Sequence, residues 1–178
     1  MLAAVDLSEL SLEAWRYARR LAKTLGSGLE AVHVSPILPA AELGQPEALR
    51  AARRRELLRK MEKAYPGAST LHLLDGDVLF GILRTAARRR ADLLVVATGG
   101  RTGLKRLMVS SVAEELVRSS PVPVLAVRGR ARAGRSVLAP VNLEPYSLEG
   151  LRFAERVARA LGARLSVLYV REGDEARL

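Results

Sequence analysis

Short apolar runs alternate along this chain with longer segments of helical spacing. Leu2–Val5 is an apolar run that ends at Asp6, and Ser8 to Ser11 fit a turn with a helix N-cap. From Leu12 to Leu25 the apolar side chains Leu12, Trp15, Ala18, Leu21, Ala22 and Leu25 share one face, and Gly26 and Gly28 stop the helix. Leu29–Val34 is the next strand, with His33 as a core or strand-end imidazole. Ser35–Gly44, with Pro36 and Pro39, reads as a loop. Pro46 to Ala64 is a helix with a basic face that includes Arg53, Arg54 and Arg55, ended by Pro66-Gly67. Ser69–Leu74 is a strand, Asp75-Gly76-Asp77 a turn, and Val78 to about Arg90 a helix whose terminal arginines suit the C-terminal dipole. Ala91–Ala97, a short helix over Ser111–Arg118 and a strand over Val122–Val127 complete the series.

Strands that alternate with helices and carry unbroken apolar runs predict an α/β fold whose parallel sheet is covered on both faces. Ligands of such sheets sit beyond the carboxyl ends of the strands, where strand order reverses. Asp6, Val34 and the Thr98–Arg101 loop all fall at such ends.

The chain then starts again. Arg128–Arg135 is a basic linker, and Ser136–Val170 matches the N-terminus with a shift of 136 positions and no gap. Over Leu2–Val34, 15 of 33 positions are identical, including Ser11-Leu12-Glu13 with Ser147-Leu148-Glu149 and Leu25-Gly26 with Leu161-Gly162. The repeat supplies only strand, helix and strand before a polar tail to Leu178. Two parallel strands and one helix cannot bury both faces of their sheet. The half-repeat is therefore expected to dock on the first domain or on a second chain. The expected division is a domain over residues 1–127, a linker over 128–135 and a partial second copy over 136–178.

One stretch carries candidate chemistry: ADLLVVATGGRTGLKRLMVSS, residues Ala91–Ser111. A buried strand opens through Gly99-Gly100 and the basic Arg101, Lys105 and Arg106 onto Ser110-Ser111 at an expected helix start. Glycines allow close backbone approach, and a helix start offers unpaired N–H groups and a positive dipole end, so the stretch reads as a phosphate cradle.

Composition narrows the remaining classes. The chain has no cysteine and only two histidines, far apart in sequence, which argues against thiol chemistry and a metal site. The net charge of +10 would suit an anionic partner, but with aromatics at 4% the stacking side chains of single-strand nucleic-acid binders are scarce. A solvated arginine-rich surface is the better reading, and nucleic acid is not an expected partner. A single Asn (Asn142) and a single Gln (Gln45) beside many Arg and Glu are the bias of a thermophile's protein. The chain opens directly on a strand-like run, and no apolar run approaches about 18 residues, so a cytoplasmic location without membrane contact is expected.

Taken together, AAVDLSELS at the first strand, VHVSP at the second, GDVLFGIL after the third and ATGGRTGLKRLMVSSVAEELVRSSPVPVLAV at the end resemble the universal stress protein family. The resemblance covers Met1–Val127 as one near-complete domain and Ser136–Val170 as the first half of another. It implies an open five-stranded parallel sheet in order 3-2-1-4-5 with helices on both faces, and homodimers through the last strand. Nucleotide-binding members carry G-x2-G-x9-G-S/T. Here Ala97, Gly100, Ser110 and Ser111 occupy those positions, so two of three glycines are replaced. By the same resemblance Asp6 contacts the ribose or the adenine side, Val34 meets adenine through its backbone, and Ala4 lines the pocket. Gly100 and Ser111 hold phosphates, Val112 stands at the helix start, and Val96 and Arg101 flank the loop. The implied ligand is ATP, or AMP or ADP, with Mg²⁺ where ATP is bound. The implied function is a nucleotide-binding regulatory module acting through dimer or partner contacts. The alternatives are a degenerate member serving as an interaction scaffold, or a slow ATPase, although no Walker lysine pattern and no general base beyond Asp6 is visible.

Overall fold

A computed structural model of the chain describes residues 1–36, 46–98, 106–129, 134 and 136–169, and only the backbone of 106–111. The chain forms two compact units, Met1–Ala131 and Arg132–Leu178.

The first unit runs β1 (Leu2–Ala4), α1 (Glu9–Leu25), β2 (Glu30–Ser35), α2 (Glu47–Ala64), β3 (Leu71–Asp75), α3 (Val78–Arg88), β4 (Leu94–Thr98), α4 (Arg106–Ser119) and β5 (Val124–Arg128). The strands pair in parallel in the order β3-β2-β1-β4-β5, the expected sheet. Leu2–Ala4 of β1 and Leu94–Ala97 of β4 are buried along their length, as strands covered on both faces must be. One face packs on α3 and α4: Leu2, Ala4, Val32, Val34, Leu94 and Val96 share a core with Ile82, Ala86, Ala113 and Leu116. The opposite face meets α1, which buries Ala14, Trp15, Ala18, Leu21 and Ala22. Ser8 caps α1 by accepting from Ser11 N, and Gly26 ends it in the left-handed conformation at φ 62°.

One boundary departs from expectation in a way that matters. α4 begins at Arg106, not at Ser111. From Leu104 to Arg118 the sequence has no glycine or proline, and Leu, Lys, Arg and Met are good helix formers. Two serines cost too little to hold the helix start back to their own position.

At the amino end of the sheet Glu30 joins three elements. It accepts from Arg89, at 2.7 Å from Nη2 and at 2.9 and 3.2 Å from Nε, and lies 2.7 Å from His72 Nε2. The Arg89 hydrogen bond holds the Glu30 carboxyl below its usual range, against a smaller opposing effect of burial. A depressed folded pKa contributes stability above the unfolded value of about 4.3, and that contribution is lost as pH falls through the folded value. Glu30→Gln is therefore expected to cost on the order of 1 kcal/mol at pH 7, because Arg89 is half exposed and solvent screens the pair. The difference from wild type should shrink below about pH 4. Urea titrations of both proteins at pH 7 and pH 3.5 check this.

The second unit is β6 (Ser136–Val141), α5 (Pro145–Leu161) and β7 (Arg164–Tyr169), with β6 and β7 parallel. It reproduces β1–α1–β2 in detail. Leu138 pairs with Ser166 as Leu2 pairs with Glu30. Leu143 has φ 66° where Leu7 has 65°, and Gly162 has φ 60° where Gly26 has 62°. What differs is the covering. Leu138 is 62% exposed where Leu2 is 1%, because no counterpart of α3 and α4 lies over the two-stranded sheet among the described residues of this unit. Within this unit one helix covers one face of the two strands, and Leu138 and Leu168 lie on the other.

Candidate functional site

β1 and β4 are neighbours, with Leu2 opposite Leu94 and Ala3 opposite Val95. The chain leaves β1 toward α1 on one face and β4 toward α4 on the other. Strand order therefore reverses between β1 and β4, and doubly wound sheets take their ligands beyond the carboxyl ends of the strands at such a point.

Asp6 follows β1 at this point, and its placement is built from several bonds. Asp6 Oδ1 accepts from Ser8 N at 3.0 Å, and Asp6 N donates to Ser11 Oγ at 3.1 Å. Leu7 N donates to the Tyr65 hydroxyl at 2.8 Å, and that hydroxyl lies 3.1 Å from Ser11 Oγ. Leu7 holds φ 65°, which costs a side-chain-bearing residue about 1 kcal/mol or more and needs such bonds to persist. Tyr65 is the C-cap of α2 and is buried, which pushes its hydroxyl pKa up. His33 lies beside this loop, with Nδ1 2.8 Å from the Val5 carbonyl oxygen, a strand-end role of the kind expected.

Ala4, Val34 and Val96 are brought together in one buried cluster, with Val112 packed against it. They belong to the core that α3 and α4 cover, toward the carboxyl halves of β2, β1 and β4. Ala97 lies within β4 and alternates to the other face, toward α1. Its backbone is extended, so a methyl group there carries no strain. Gly100 and Arg101 fall outside the described residues. Ser110 and Ser111 belong to the second turn of α4, and Val112 follows them. The expectation that the serines and Val112 mark the helix start is thus corrected: the unpaired N–H groups of α4 belong to its first turn, from Arg106 onward. A helical backbone also removes the need for positive φ at Ser110.

Two contributors escape sequence reasoning. Gly81 in the first turns of α3 lies against Val34: a Cβ there would meet Val34 Cγ2 at 2.9 Å and Cγ1 at 3.1 Å. Tyr65 reaches the Asp6 loop from 58 residues away in the sequence. The sequence signal for Gly81 is a glycine inside a helical pattern; for Tyr65 there is none.

At the far edge, β5 pairs only with β4 among the described residues. Beside it a groove of about 370 Å³ is lined by Ala113, Val117 and Ala126 together with Thr98, Glu114, Arg118 and Arg128. Among the described residues no helix is long and apolar enough to cross a membrane.

This architecture defines a doubly wound α/β protein whose strand order reverses between β1 and β4. The family profile of the universal stress protein family matches residues 1–128, and the chain belongs to that family. It is 33% identical over 135 residues to a universal stress protein of Methanocaldococcus jannaschii, covering 69% of this chain and 78% of that protein. It is 32% identical over 136 residues to one of Thermus aquaticus, covering 72% of this chain and 97% of the relative. Among solved structures, a universal stress family protein from Burkholderia pseudomallei superposes with a TM-score of 0.53 at 27% identity, over 71% of this chain and 93% of that one. A universal stress protein from Archaeoglobus fulgidus reaches 0.68 at 20% identity, over 98% of this chain and 67% of its own, a likeness of fold.

Proposed function

We propose that the first unit binds an adenine nucleotide, ATP or its relatives ADP and AMP, and acts as a regulatory module rather than as an enzyme. The observation that carries this reading is the pairing of β1 with β4. It makes the fixed Asp6 carboxylate and the glycine- and arginine-bearing segment 99–105 leave adjacent strand ends. The residues fit the ligand. Ala4, Val34 and Val96 would back a purine as an apolar wall, and Asp6 offers a carboxylate to ribose hydroxyls. Arg101 and Lys105 bring positive charge for phosphates, and Mg²⁺ enters as the ion that ATP carries. Isothermal titration with Mg-ATP is expected to give saturable heat. Asp6→Ala should weaken binding by about tenfold, the loss of one charged hydrogen bond. No heat at millimolar nucleotide would remove this reading.

The edge of β5, paired with β4 alone among the described residues of the first unit, and the adjoining groove support pairing of two copies through the last strand. Sedimentation of the same samples with and without nucleotide reads both the dimer and its response.

A second reading, an interaction scaffold indifferent to nucleotide, is favoured by the bare apolar face of β6 and β7. Partner capture unchanged by saturating ATP would support it against the first.

A further inference from the structure

The β1–α1 loop exists twice in this chain, and the two versions differ in their supporting groups: Ser8 caps its helix through its side chain where Glu144 makes no such bond, and a phenol joins the first loop alone among the described residues. In the first, Asp6 N lies 3.1 Å from Ser11 Oγ; in the second, Asn142 N lies 3.4 Å from Ser147 Oγ. In the first, Ser8 N reaches Asp6 Oδ1 at 3.0 Å; in the second, Glu144 N reaches Asn142 Oδ1 at 3.2 Å. Both loops pass through a leucine with φ near +65°. Only the first has a phenol from outside the repeat, Tyr65, bonded to the leucine N–H and to the helix serine. In the second, Ser147 Oγ turns instead to its own helix and donates to the Glu144 carbonyl at 2.9 Å.

The side chains at the loop's first position diverge in the same way. Asn142 donates through Nδ2 to the Tyr146 hydroxyl, a bond made inside its own loop. Asp6 Oδ2 takes no hydrogen bond among the described residues, and the carboxylate is exposed. The first loop is thus held by its backbone from below, with one carboxylate oxygen left for a ligand.

We infer that Tyr65 is a positioning residue for the Asp6 carboxylate, and that this lock separates the ligand-competent copy of the loop from the idle one. The inference rests on the nucleotide reading for the identity of the ligand, a ribose bearing free hydroxyls, and stands on the loop geometry for the rest. Its mechanism is a hydrogen-bond count. Two backbone N–H donors, Asp6 and Leu7, each use one hydroxyl oxygen as acceptor, and one of the two hydroxyls donates to the other. Removing the phenol oxygen leaves the Leu7 N–H without its acceptor and frees Ser11 to adopt the helix-directed bond that Ser147 makes. The Tyr65 ring itself is fixed, 1% exposed and edge-on to Trp15 at 5.5 Å between centroids. The oxygen is therefore a preset point rather than a mobile one.

Tyr65→Phe in the full chain tests this, with Ser11→Ala as the second variant because it removes the other hydroxyl while keeping the Tyr65 ring in place. Two readouts separate positioning from general support. The first needs no ligand: amide hydrogen exchange at Asp6 and Leu7 is expected to quicken at least tenfold, while Ala31 and Val95 in the sheet keep their protection. Unchanged protection at Leu7 would overturn the lock. The second compares Mg-ATP with Mg-2′,3′-dideoxy-ATP by titration. Wild type should favour ATP by about tenfold through Asp6, and both variants should bring that ratio toward one. Equal weakening of both nucleotides, with the ratio preserved, would make Tyr65 a structural residue only and overturn the positioning role. If wild type binds neither nucleotide, the ribose assignment falls with the nucleotide reading, and the exchange result alone decides the lock.

Discussion

Trp15→Ala is expected to be the most damaging single truncation in the first unit, lowering stability by about 3–5 kcal/mol. Trp15 is 1% exposed and heads the largest fully buried side chains of the chain. It lies on the buried face of α1, and its ring meets Tyr65 edge-on. Its removal would leave a void under α1 and take away the support of the tyrosine that holds the Asp6 loop. Trp15→Phe should cost much less, about 1–2 kcal/mol, because the indole Nε1 has no hydrogen-bond partner among the described residues. Phenylalanine drops that unsatisfied donor while keeping an aromatic ring against Tyr65. Urea denaturation followed by far-ultraviolet circular dichroism suits both variants, since Trp15 is the sole tryptophan and fluorescence would be lost. A cost under 1 kcal/mol for the alanine variant would show that α1 is anchored elsewhere. The repeat is consistent with this role: Leu151 stands where Trp15 would be, on a helix that covers two strands rather than five.

Gly81→Val is the second large effect. A Cβ at position 81 would stand 2.9 Å from Val34 Cγ2, and valine adds two methyl groups beyond it. Val34 is β-branched, buried and within β2, so it has no ready rotamer to retreat into. The strain is expected to cost about 2–3 kcal/mol. Gly81→Ala should cost less, about 1 kcal/mol, because alanine recovers helix propensity in α3. Both variants push on a residue of the proposed purine wall, so nucleotide affinity should fall in the same order as stability. Thermal unfolding and Mg-ATP titration of the two variants test the pairing of these effects. Affinity preserved in a destabilised Gly81→Val protein would mean that Val34 does not line the purine subsite.

Much of this molecule was legible residue by residue. The alternation of apolar runs with helical spacing follows from local periodicity, and each predicted strand has an observed strand within a few residues of it. The N-cap of α1 within Ser8–Ser11, Gly26 as helix stop and the turn Asp75–Asp77 before α3 are local chemistry, written within four residues of where they act. The half-repeat was legible because identical residues impose identical local geometry, down to the positive φ of Leu7 and Leu143. The start of α4 was misread because a serine pair resembles a cap, whereas helix continuation over Arg106–Val109 depends on the summed propensity of the whole segment.

What the chain's order of residues determined by itself is therefore its elements, their faces, their punctuation and the duplication of β1–α1–β2. Tertiary structure alone decided that β1 lies beside β4, that Gly81 touches Val34, and that the Tyr65 hydroxyl reaches the amide of Leu7. It also decided that Leu138 stays bare where Leu2 is buried, although the two carry the same side chain in the same register. The physical reason is range. Caps, turns and periodic faces are energies between near neighbours along the chain, whereas burial and close approach depend on which distant segment arrives to cover a surface. No residue in either copy of the repeat records whether α3 and α4 are there to meet it.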